Sequence, residues 1–140
     1  MRISYHGQAR QIGMWIRLGV LTLMAIALCS AEDAPVAGTW RGESLCAARG
    51  TSCKDETVVY YIRAIPDRPT AITIRADKFV NGQPVTMGTS EWTYDRDRAT
   101  LEWRTSGRTW VLSIHGSRID GTLTLPDQTV FRKMTLKNDD

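Results

Sequence analysis

The chain has 140 residues, room for one domain, with 42% hydrophobic and 24% charged positions and a formal charge of +3. The excess charge sits entirely at the start. Residues 1–31 hold Arg2, Arg10 and Arg17 and no acid, so over 32–140 fifteen Lys and Arg face fifteen Asp and Glu, and a neutral second part gives no electrostatic case for nucleic acid or an anionic membrane surface as partner.

Residues 1–31 read as a cleavable signal peptide. The arginines are followed by an apolar run, Leu18 to Leu28, and then by the small residues of Cys29-Ser30-Ala31, the layout of a secretory signal cut after Ala31. An uncleaved membrane anchor is the plain alternative, but a spanning helix takes about 20 apolar residues and this run has 11. Met14 can start a compact signal by itself, so Met1 and Met14 are both candidate starts. Lipidation of Cys29 is a further alternative, weakened by Leu28 where a lipobox wants a small residue. Residues 32–140 are then a single exported domain, periplasmic or extracellular. Cleavage also removes the odd cysteine. Cys46 and Cys53 remain, most simply as one disulfide stapling the loop between them. Their spacing is not that of a redox pair, and two thiols alone do not make a zinc site.

From Val36 onward the pattern is short alternating runs broken by turn residues. Strands are expected over Val36–Ser44, Glu56–Ile65, Thr70–Val80, Pro84–Tyr94, Thr100–Arg104, Arg108–His115, Arg118–Leu125 and Gln128–Lys137. Turns fall at 66–69, at Asn81-Gly82 (a strong hairpin signal), and at 95–98, 105–107, 116–117 and 126–127. Alternation places Ile72, Ile74 and Ala76 on one face, then Leu101 and Trp103, then Trp110, Leu112 and Ile114. The ends, 32–35 and 137–140, read as frayed. Tight connections make consecutive strands antiparallel neighbours. The expected fold is therefore all-β, an eight-stranded up-and-down barrel, which leaves no free edges and can be solid or hold one small ligand. An open sheet or a two-layer sandwich is the alternative.

Gly38-Thr39-Trp40 opens the first strand of this meander, and Gly-x-Trp there resembles the calycin superfamily of lipocalins, avidins and small bacterial relatives. The resemblance implies a barrel whose Trp40 plugs the closed end, with a basic residue of the last strand packed across it. Arg132 lies in that strand, on the side of Val130, Met134 and Leu136, where a charge needs a partner that an aromatic face can supply.

Catalytic signals are sparse. His115 is the one histidine after residue 31, and alternation turns it away from Trp110, Leu112 and Ile114, at a strand end. A triad needs Ser and Asp converging on it, and no nucleotide loop or nucleophile elbow occurs. The acids are scattered. Asp55 and Glu56 are adjacent on a strand and point to opposite faces. The expectation is no enzyme, no cofactor and no metal. The aromatic residues are the notable group. Trp40, Trp103 and Trp110 can be core, or Tyr60, Ile74, Trp103 and Trp110 can line a ligand cavity. Trp92 and Tyr94 share a face, and if it is outward they form a patch for a protein. The leading expectation is an envelope binding protein for a small apolar or aromatic molecule. The alternative is an inhibitor or partner of an exported enzyme, acting through residues 32–37 or the Cys46–Cys53 loop.

Overall fold

Eight strands follow one another along the chain: β1 Gly38–Cys46, β2 Glu56–Ile65, β3 Arg68–Val80, β4 Gln83–Asp95, β5 Thr100–Thr105, β6 Arg108–His115, β7 Arg118–Thr124 and β8 Val130–Asn138. Each pairs antiparallel with its neighbour, and β1 pairs with β8, closing the sheet into a barrel. The structure is a computed structural model that describes residues 34–48 and 50–140. The expected signal peptide, both candidate starts and Cys29 lie outside the described residues.

Alternation makes the barrel. Side chains of a strand point to opposite faces, and the inward sets meet in one cluster containing Trp40, Ile62, Ile72, Ile74, Leu101, Leu112, Ile119 and Leu136. The turns are those that the flanking strand twist selects. Asn81 and Gly82 have φ of 50° and 76°, and Ser106 and Gly107 have 49° and 73°, the paired left-handed residues of tight hairpins. The turn expected over 66–69 is shorter. Arg68 already pairs with Ile65, and Asp67 at φ 61° reverses the chain.

The two ends of the barrel differ. At the end where β1 begins, residues 34–37 fold into a turn, with Ala37 N–H donating to Ala34 O at 2.7 Å. Ala34 and Val36 are buried there beside Trp40, whose indole Nε1 donates to Val36 O at 2.9 Å. The expected frayed start is therefore, from Ala34 on, a plug: two apolar side chains and an indole donor all gain partners by folding in. The tail is fastened too, with Asp139 N–H on Thr39 O and Thr39 N–H on the Asp140 carboxylate. Gly38 has φ 140°, a conformation that L side chains rarely adopt, which favours glycine two residues before Trp40.

Trp92 and Tyr94 are both buried inside the barrel. Ile72 is Trp92's cross-strand partner, and partners share a face, so the inward set of β3 fixes the inward set of β4. The surface patch considered for this pair is not formed.

Candidate functional site

The opposite end is not plugged. The inward side chains there leave a cavity of about 530 Å³, within the range of small-molecule sites. Its walls come from all eight strands: Ser44 on β1, Tyr60 on β2, Ile74 on β3, Trp92 on β4, Trp103 on β5, Trp110 on β6, Leu123 on β7 and Met134 on β8. Tyr60, Ile74, Trp103 and Trp110, chosen from alternation as cavity residues, all line this one space. Trp103 and Trp110 are only partly buried and pack against the core from above. Three indoles form a tilted series, with ring centroids 5.7 Å apart for Trp92 and Trp103 and 4.8 Å apart for Trp103 and Trp110. Trp92 donates to Ser90 Oγ at 2.8 Å, so its polar edge is satisfied although the ring is buried.

A mismatch of strand lengths opens the wall. β4 has 13 residues and β5 has six. Their pairing is confined to Thr93–Asp95 against Thr100–Glu102. Above Thr93 the β3–β4 hairpin runs past the tip of the β5–β6 hairpin, and the cavity is bounded on that side by Met87, Gly88 and Ser90. A bulge between Ala76 and Asp77 leaves Met87 without a cross-strand partner, and bulges bend and twist a strand pair. Gly88 takes φ 142° at this bend, a conformation that L side chains rarely adopt. Val85 and Met87 are exposed on the overhanging arm.

Charge collects at this end. On β2, β3, β6 and β8 the inward sets finish with Glu56, Lys78, Arg108 and Arg132. Glu56 is held by Lys78 Nζ at 3.2 Å and faces Arg132 Nη1 at 3.5 Å. Arg132 is 16% exposed and is planted by donating to Ser44 O and Ser44 Oγ, both at 3.2 Å, and to Lys54 O at 3.0 Å. Arg108 lines the cavity and takes part in no ion pair or side-chain hydrogen bond among the described residues. Burial pushes the Tyr60 hydroxyl up to about 12, with Arg132 opposing and Glu56 reinforcing the shift.

Arg132 therefore does not lie across Trp40. On β1, Trp40 pairs with Asn138 whereas Cys46 pairs with Arg132, and six residues of strand separate the two positions by about 20 Å. The inward direction inferred for Arg132 holds, but its partners are carbonyls, a hydroxyl and Glu56. The Cys46–Cys53 disulfide is formed, with S–S 2.11 Å. Its loop sits at the cavity mouth, where Asp55 accepts from Cys46 N–H at 2.7 Å and Lys54 O accepts from Arg132. His115 is exposed at the other end, its Nε2 4.0 Å from Asp120. No group of three or more metal-ligating side chains gathers among the described residues.

Sequence alone does not single out Glu56, Arg108 or Phe131 for the site, and it offers Trp92 only for an outward patch. The signal for the two charges was present: Glu56 shares parity with Val58, Tyr60 and Ile62, and Arg108 with Trp110, Leu112 and Ile114. A scan of the chain against models of known protein families finds no match, and a search of curated proteins finds none either.

Proposed function

We propose that this protein is a non-catalytic binding protein of the cell envelope that holds a small apolar or aromatic molecule in the open end of its barrel. The single observation that carries the reading is the cavity of about 530 Å³ walled by Trp92, Trp103 and Trp110 beside a plugged opposite end. Indole faces that are only partly covered gain by burying a ligand's apolar surface, at roughly 25 cal/mol per Å² removed from water. The disulfide is consistent with an oxidising compartment, which supports export through the N-terminal signal. The closed eight-stranded barrel opened by Gly38-x-Trp40 supports a calycin-like assignment, from which the placing of Arg132 departs.

The alternative, an inhibitor or partner of an exported enzyme, has less to draw on. Ala34 and Val36 of its first contact segment are spent in the plug, and the stapled loop uses Lys54 to fix Arg132.

The test is binding of the neutral fluorogenic probe N-phenyl-1-naphthylamine, compared between the native chain and Ala76→Phe. Ala76 lines the cavity, so the added ring occupies it. The reading expects saturable binding by the native protein and at least a tenfold loss in the variant, with an unchanged β-sheet circular dichroism spectrum. Equal binding by both proteins would refute the cavity as the site.

A further inference from the structure

We infer that the ligand carries an anionic head group, received by Arg108 at the mouth of the cavity while its apolar body lies against the tryptophans. This rests on the cavity reading above and adds the chemical class of the ligand to it. The inward sets of the strands place four charges at the open end, and only one is acidic. Glu56 already serves both Lys78 and Arg132. Of these, Glu56, Arg108 and Arg132 line the cavity, two cations against one carboxylate, an excess of one positive charge beside a half-enclosed apolar space. Arg132 is committed to Ser44, Lys54 and Glu56. Arg108 is committed to nothing among the described residues, yet it borders the same cavity as Trp103 and Trp110.

A cation beside an apolar wall is poorly compensated when a neutral molecule covers it, because its hydration is displaced and nothing replaces it. A carboxylate, sulfonate or phosphate monoester on the ligand replaces it with a charge-assisted, bidentate contact that a guanidinium is shaped to make. The apolar body then points down toward Tyr60 and Ile74, and the head group stays at the solvent side. The polarity of the site is fixed by the barrel itself: apolar residues at depth, cations at the rim.

Two probes separate this from simple apolar binding. 1-Anilinonaphthalene-8-sulfonate and N-phenyl-1-naphthylamine share one aromatic skeleton and differ by the sulfonate. Both are titrated against the native chain and Arg108→Gln, with near-ultraviolet circular dichroism confirming native packing. The expected result is a five- to tenfold loss of sulfonate affinity in Arg108→Gln, with the neutral probe changed less than twofold. Raising NaCl from about 50 mM to 500 mM should weaken the sulfonate probe and not the neutral one. If both probes weaken alike in Arg108→Gln, or the sulfonate probe is unaffected, the head-group assignment is overturned while the cavity reading stands. If neither probe binds the native chain, both fall.

Discussion

Trp103 and Trp110 are cross-strand partners on β5 and β6, their ring centroids 4.8 Å apart, and both stay partly exposed above a core that closes beneath them at Leu101 and Leu112. Core and cavity wall make different demands on such a pair. Truncating a fully buried Trp costs about 3–5 kcal/mol. Trp103→Ala should instead cost about 1–2 kcal/mol, the loss of a half-covered ring and its two aromatic neighbours, and should weaken N-phenyl-1-naphthylamine at least tenfold. Urea denaturation and probe titration on the same sample check both numbers.

Among the glycines of the described residues, Gly42 leaves the least room for a side chain. It pairs with Leu136 across β8 and with Val58 across β2, and a Cβ there would meet Thr135 O at 1.9 Å and Leu136 Cα at 2.8 Å. Both obstacles are backbone, so the β1–β8 seam must part to relieve them. Gly121 would meet Leu112 Cδ2 at 2.4 Å and Met134 Cε at 3.3 Å, the ends of side chains that can turn. Gly42→Ala should lower stability by about 3 kcal/mol or more and Gly121→Ala by about 1–2 kcal/mol, in the manner of overpacked cores. Thermal melts of the two variants should rank them in that order.

Tyr60 makes stability depend on alkaline pH. Its folded hydroxyl is pushed from 10.0 to about 12, chiefly by burial. Between those values the unfolded chain releases this proton and the folded chain keeps it. Stability from this group is complete below pH 10 and falls as pH rises toward 12, by about 1.4 kcal/mol per unit or about 3 kcal/mol in all. The difference in unfolding free energy between the native chain and Tyr60→Phe, measured from pH 9 to pH 12, should shrink across that window. The same substitution should remove the phenolate absorbance that develops near pH 12.

The disulfide joins cysteines seven positions apart, and closing so short a loop stabilises by about 2–3 kcal/mol through the unfolded chain's entropy. Its position adds a second effect. Lys54, one residue beyond Cys53, supplies a carbonyl to Arg132. The double variant Cys46→Ser, Cys53→Ser should melt lower than the native chain by more than loop entropy alone accounts for, because loosening the loop also releases the carbonyl that holds Arg132; thermal denaturation checks this.

The strands were legible because each buries one face: Ile72 and Ile74, or Leu101 and Trp103, announce their parity without tertiary help. Asn81-Gly82 announced its hairpin for the same local reason. The plug was not legible, since Ala34 and Val36 carry no pattern by themselves and are buried by joining the barrel core beside Trp40, a tertiary contact. Arg132 shows the limit most clearly. Alternation turned it inward, but register along β1 decides which end of the barrel it meets, and register is a property of paired strands. The open wall between β4 and β5 could have been anticipated, because an 11-residue and a five-residue expected strand cannot pair along their full lengths. Arg108 needed that same step, a charge found on an inward parity at the rim.

What the protein carries when taken from its own envelope is the most direct test of a ligand-binding barrel. Native mass spectrometry of that material should show one small molecule per chain, released on unfolding, anionic in negative-ion mode and absent from Ala76→Phe. A bare chain, or a chain whose added mass is unchanged when Ala76 is replaced, would contradict it.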